Sequence, residues 1–226
     1  NVGESDYLYH GANRLGANSL LSCIFGGLTT GCEVPRYLEQ VTTEPPSEKI
    51  FEDALLEEKR IQKDLLSSNG KENVHQLHDE LADWMTRFVT VKRDNPDLVK
   101  MIEKIKEIRE RYKNIALDDQ GSHLNQTYVF AHQFRAMIEI AMVITKGALL
   151  RDEFRGSHFK PEFPKRDDAH FLKTTIAIYD PTKDEPVISY EPIDMRHLDP
   201  IERDYTHAKK VKPSLKNIPT NIQPPL

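Results

Sequence analysis

Between Ser47 and Leu150 the apolar residues recur three and four apart in four successive segments, and this periodicity narrows the possible folds more than any other feature. The first segment can start from a Ser47 cap, carries Ile50, Phe51, Ala54, Leu55, Ile61 and Leu65 on one side, and stops at SSNG. The second aligns Val74, Leu77, Leu81, Trp84, Met85 and Phe88. A third follows NPD, with proline in its first turn, and places Leu98, Met101, Ile102, Ile105, Ile108, Tyr112 and Ile115 on one face. The fourth, from about Asn125 to Leu150, is the most apolar, with Phe130, Phe134, Met137, Ile138, Ala141, Met142 and Leu149. Four amphipathic helices joined by short connections predict a small antiparallel bundle. Trp84 shares its stripe with Leu77, Leu81 and Phe88, so it reads as a packing residue rather than a ligand platform.

The flanks differ from this block. SLLSCIFGGLTTGC predicts a buried helix capped by Asn18 or Ser19 and weakened by paired glycines, VPRYLEQ adds a short helical piece, and TTEPPS is a linker. After the fourth helix, FLKTTIAIYD and VISYEPID alternate with period two around a PTKDEP turn, which predicts a β-hairpin. The fold class is therefore mainly α, a helical bundle followed by a small β-hairpin region. Four units follow: residues 1–43 before the bundle, 44–150 the helical domain, 151–200 a loop and hairpin, and 201–226 an extended tail.

Net charge is -5, from 36 acidic and 31 basic residues, so no basic field points to nucleic acid. The third helix mixes seven basic with five acidic residues between Arg93 and Lys113, which reads as a solvated face. No apolar run approaches the roughly 18 residues of a spanning helix, and Asn1 does not open a signal peptide; the chain reads as soluble and intracellular. Cys23 and Cys32 have neither zinc spacing nor a disulfide framework and read as buried or half-buried thiols.

Two stretches carry chemistry. At the start, Gly3, Gly11 and Gly16 flank Glu4 and Arg14 and lead into the Asn18 cap. A glycine-flanked loop feeding a helix start offers unpaired N–H groups at the positive end of the helix dipole, and Arg14 adds a planar fork suited to a carboxylate. The alternative reading is an ordinary loop with a surface arginine. The second stretch, RDEFRGSHFKPEFPKRDD, crowds Arg151, Asp152, Glu153, Arg155, His158, Lys160, Lys165 and Arg166 into residues 151–168. Local ion pairs fixing an irregular chain account for it, and a rigid loop of this kind could also position groups at a flavin or a domain interface. His75, His78 and Asp79 in HQLHD lack the spacing of a zinc site, and His123 and His132 read as core or surface residues.

HGANRLGANSLL, residues 10–21, resembles the flavoprotein subunit of succinate dehydrogenase and its fumarate reductase relatives. EFRGSHFKPEFPKRDDAHFLKTTIA looks like a second motif of the same family, in the family's order. The resemblance covers essentially the whole chain but not the family's front half, since no GxGxxG strand-loop-helix occurs. It implies the C-terminal portion of an FAD-dependent α+β flavoprotein, with residues 1–43 a remnant of the FAD-binding domain. Glu4, Ser19 and Leu20 would then contact FAD, and Arg14 would hold a carboxylate of succinate or fumarate. The implied reaction takes succinate to fumarate by hydride transfer to FAD, with electrons leaving through an iron-sulfur subunit and a membrane cytochrome b subunit to quinone.

On the same resemblance, the protein would sit peripherally at the cytoplasmic face of a bacterial inner membrane. The groups for proton transfer would lie outside these 226 residues, so the chain alone is expected to be inactive. Phe154 stands where the family's motif has serine. Gly16 and Ala17 before Asn18 differ from the alanine-serine of aspartate oxidases, which favours succinate oxidation. Fumarate reduction, an L-aspartate oxidase relative and a non-catalytic helical interaction domain are the alternatives.

Overall fold

A computed structural model describes residues 10, 12, 16, 18–42, 44–196 and 199–201. Helices run over Asn18–Gln40 (α1), Glu48–Leu66 (α2), Val74–Phe88 (α3), Asn95–Tyr112 (α4), Gln126–Leu149 (α5) and Asp168–Phe171 (α6), followed by strands Lys173–Ile178 (β1) and Val187–Pro192 (β2). The starts of α2 to α5 follow from capping chemistry. Ser47, Asn73, Asp94 and Asn125 each accept a hydrogen bond from an N–H in the first turn of their helix, and such a cap contributes about 1 kcal/mol. Pro96 occupies the first turn of α4, where its missing N–H costs nothing.

The core lies where α4 packs against α3 and α5. Leu77, Leu98, Met101, Ile105, Ile108, Phe134 and Met142 are all fully enclosed there. The Tyr112 hydroxyl donates to the Ala131 carbonyl at 2.8 Å, tying the end of α4 to α5, and its burial pushes the phenol pKa up to about 12. The turn between α2 and α3 meets the segment after α4 backbone to backbone. Gly70 donates its N–H to Ile115 at 3.0 Å, and a Cβ there would stand 1.8 Å from the Asn114 carbonyl oxygen, so only glycine allows this approach.

β1 and β2 form an antiparallel hairpin in register from Lys173 opposite Pro192 to Ile178 opposite Val187. Its tip is pinned to the bundle by charge. Glu185 reaches Lys106 at 2.9 Å and Lys146 at 2.7 Å, while Arg109 donates to the Asp184 carbonyl and to Glu139. The bundle and hairpin expected from the two periodicities are both present.

α1 departs from expectation. It is one continuous helix through Gly26, Gly27, Gly31 and Pro35 rather than two pieces, although Pro35 has no N–H to give the ladder. Nor is it buried. Leu20, Leu21, Ile24, Phe25 and Leu28 are all exposed, and only Ser22 and Gly26 are covered. Cys32 is exposed and Cys23 half-buried. The first half of α2 behaves likewise, with Ile50, Phe51, Leu55 and Leu56 exposed and only Ile61 and Leu65 in the core. Periodicity reports that a face is apolar and not what covers it. No helix among the described residues is long and apolar enough to cross a membrane.

Trp84 is half-buried, packed on Phe88 at 5.1 Å with the Lys104 ammonium over its ring. We expect Trp84→Ala to cost about 2 kcal/mol, below the 3 to 4 kcal/mol or so of Leu77→Ala, because part of the indole already faces water. Urea midpoints at constant m-value measure both. An unchanged midpoint for Trp84→Ala would place the ring outside the core.

Candidate functional site

The charged stretch 151–168 folds around a single carboxylate. Glu153 has no solvent exposure. One of its oxygens accepts from Arg151 at 2.6 Å and from Arg155 Nε at 2.7 Å, and the other from Arg155 Nη2 at 2.9 Å and from the Asp167 N–H at 3.0 Å. Burial by itself pushes the Glu153 pKa up. The hydrogen bonds from Arg155, Asp167 and Arg151 outweigh it and hold the carboxyl below its ordinary value. Gly156 makes the geometry possible. The chain reverses between Arg155 and His158 through two 3.0 Å backbone bonds, and Gly156 sits at φ 60°, where a side chain is strained.

Two further buried polar groups flank this centre. Lys160, also without exposure, donates to Asp152 at 2.9 Å and to the Leu149 carbonyl at 3.0 Å. Burial lowers its pKa, and Asp152 recovers part of the loss. His158 contacts Arg93 Nη1 through Nδ1 at 2.7 Å and the Arg151 carbonyl through Nε2 at 2.8 Å. A guanidinium only donates and a carbonyl only accepts, so Nδ1 is bare and Nε2 carries the hydrogen: the imidazole is neutral. Burial lowers the His158 pKa in the same sense.

The network reaches outward. Arg151 also donates to the carbonyls of Phe171 and Lys173 and to the Thr175 hydroxyl, so the loop grips α6 and β1. Asp168 joins Arg155 to Arg166 at 2.7 Å each. Phe159 accepts from the Arg93 N–H at 3.0 Å and donates its own N–H to the Val91 carbonyl at 3.2 Å, which ties the loop to the α3–α4 connection. Phe154 makes an edge contact with Phe159 at 5.5 Å, an aromatic pair beside the buried charge centre.

Several expected site residues fall elsewhere. Glu4 and Arg14 lie outside the described residues. Asn18 is the first residue of α1 itself, Ser19 is half-buried with its carbonyl accepting from the Ser22 hydroxyl at 2.9 Å, and Leu20 is exposed. His10 reaches Ser22 Oγ at 3.1 Å. His75 and His78 pack against Phe130, as side chains of an aromatic cluster. Among the described residues no cluster of histidine, cysteine or carboxylate could hold a metal ion.

Arg93 corrects the expectation of a wholly solvated charged face: it is half-buried against His158, which stands 65 residues away in sequence. Lys104 and Arg111 are likewise engaged, in a network with Glu72, Glu80 and Glu107. No local signal marks such long-range partners.

The described residues form a helical bundle braced by a buried charge centre and carrying a short antiparallel hairpin, and comparison with known proteins places this fold. The family described as fumarate reductase flavoprotein C-term matches residues 78–205. The chain belongs to that family, the C-terminal portion of the succinate dehydrogenase and fumarate reductase flavoproteins.

It is 42% identical to the succinate dehydrogenase flavoprotein subunit of Bacillus subtilis over 93% of this chain and 36% of that protein. With the fumarate reductase flavoprotein subunit of a Helicobacter pylori strain the identity is 31%, over 84% and 27%. Its fold matches an E. coli quinol fumarate reductase chain with a TM-score of 0.75 at 29% identity, covering 85% of this chain and 33% of that one. The chain thus spans about a third of the length of such relatives.

Because the folded-state pKa of His158 is lowered, its neutral form contributes stability that is full above the unfolded value of about 6.5 and is lost as pH falls below it. Thermal midpoints between about pH 7.5 and 5 should therefore fall less steeply in His158→Gln, which can keep both contacts without titrating. Parallel pH profiles for wild type and variant would show that His158 does not carry this dependence.

Proposed function

We propose that this chain is the C-terminal part of a flavoprotein that interconverts succinate and fumarate, and that succinate oxidation is its working direction. Family membership supports the first statement. The second draws on the HGANRLGANSLL run and on the 42% identity to a succinate dehydrogenase subunit against 31% to fumarate reductase subunits. Fumarate reduction is the alternative, favoured by the match to a quinol fumarate reductase chain.

The observation that carries the cofactor reading is the start of α1. Its first turn has no acidic side chain, so among the described residues no carboxylate of that turn compensates the N–H groups of Asn18, Ser19 and Leu20 and the positive helix end. This suits an electron-rich group that gains negative charge during reaction. FAD, when bound, would supply the hydride acceptor. Glu4, Ser19 and Leu20 are the residues that would hold it. Arg14 would grip one carboxylate of the substrate through two parallel hydrogen bonds and fix its orientation.

The exposed apolar side chains of α1 and early α2 are the surface on which the rest of such a flavoprotein would rest. Electrons would pass through an iron-sulfur subunit and a membrane cytochrome b subunit to quinone, with the flavoprotein peripheral at the cytoplasmic face of the membrane. The E. coli relative is a quinol fumarate reductase, and a Mycobacterium smegmatis neighbour, Sdh1, matching at TM-score 0.68 and 26% identity, was solved in complex with UQ1.

Arg14→Lys in the intact flavoprotein keeps the charge and removes the planar fork, so succinate turnover should fall on the order of 100-fold while flavin content stays near normal. Bound-flavin absorbance, turnover and malonate affinity, measured together, separate the roles. Wild-type turnover and malonate affinity would remove Arg14 from the substrate; flavin lost in proportion to activity would move it to the cofactor.

A further inference from the structure

A cavity of about 580 Å³ opens between the charged loop, α6 and the hairpin, and the residue Ala12 of the opening loop also lines it. Its wall holds cations in unequal states of engagement. Arg151 already directs its donors to Glu153, two carbonyls and Thr175. Arg155 gives Nε and Nη2 to Glu153 and Asp168. Arg93 and Lys173 differ from both. Arg93 meets only His158 and the carbonyls of Val89 and Thr90, so its charge faces no carboxylate among the described residues. Lys173 places its ammonium 3.8 Å from the centre of the Tyr190 ring and 5.6 Å from that of Phe171, with no carboxylate partner among the described residues. The acids on the wall are Glu191 and Asp194, and Asp194 is paired with Arg196 at 2.6 Å.

We propose that this cavity is a binding site for a small anion bearing carboxylate or phosphate groups, held by Lys173 and Arg93 with Arg155 behind them. Its volume falls in the range of small-molecule sites, and its concavity suits a compact ligand. The neutral His158 adds no charge of its own; it holds the Arg93 guanidinium in place. Two cations without an anionic partner among the described residues, one half-buried against carbonyls, gain more from an anion than a surface pair does. The site is independent of the flavin reading and can be tested in the 226-residue chain itself.

Calorimetric titration with malonate and, separately, inorganic phosphate tests it, with the uncharged malonamide as a control. We expect at least one anion to bind saturably in the millimolar range and malonamide not to bind. Lys173→Met should weaken the anion about tenfold or more, the scale of one lost hydrogen bond to a charged group. Glu191→Gln, at an exposed strand position, should tighten it by removing a repulsive charge, an effect that a folding defect would not produce. Malonate binding alone assigns the site to dicarboxylates, and phosphate binding alone to phosphate ligands; either supports the proposal. Arg14→Ala should leave binding in place. The proposal is overturned if neither anion saturates at tens of millimolar, if Glu191→Gln leaves binding unchanged, or if Arg14→Ala abolishes it.

Discussion

The carboxylate of Glu153, fully enclosed and accepting four hydrogen bonds, is the contact on which the arrangement of the C-terminal half depends. A buried charge is stable only when its lone pairs are satisfied, and removing one partner of such a pair typically costs about 3 to 5 kcal/mol. The constraint propagates because each arginine on Glu153 has a second duty. Arg151 holds α6 and β1 by their carbonyls, and Arg155 holds Asp168, which in turn holds Arg166. A loop with little regular structure is thereby fixed against α5 on one side and the hairpin on the other. The bundle needs no such centre, because its apolar core closes on itself.

This division bears on function. The residues proposed for FAD and substrate belong to the opening segment and the start of α1, whereas the buried charge centre and the cavity beside it belong to the loop and hairpin after α5. A structured C-terminal unit of this kind suits a family whose relatives are more than twice as long as this chain. The exposed apolar faces of α1 and early α2 point the same way, since isolated side chains such as Leu20 and Phe51 need no explanation but a continuous stripe does.

What could be read from the sequence followed the range of each signal. Helices α2 to α5 and the hairpin were legible because period is local and Ser47 reads as a cap; the caps Asn73, Asp94 and Asn125 stand one residue before their helices, a local signal that periodicity alone leaves unused. The crowding of charge at 151–168 was visible too, but its centre was not, because nothing in EFRGSH says which acid will be buried. Arg93 was assigned to a solvated face, since its partner His158 is brought close only by the bridge between Lys92 and Phe159. α1 was misjudged for a related reason. Paired glycines promised a frayed helix with a separate short piece after it, yet the helix continues through Pro35, and its apolar residues promised a burial that the described residues do not provide. The family resemblance reached further than any of these because two motifs far apart in sequence carry it together.

Hydrogen exchange on Glu153→Gln tests the role of the charge centre most directly. Glutamine keeps the size but removes the charge and turns one acceptor oxygen into a donor that faces arginine donors. The account predicts that amides of β1 and α6 lose protection by about 2 to 4 kcal/mol while those of α4 remain near wild type, because the hairpin half depends on the centre and the bundle does not. Unchanged protection in β1, or an equal loss in α4, would contradict it.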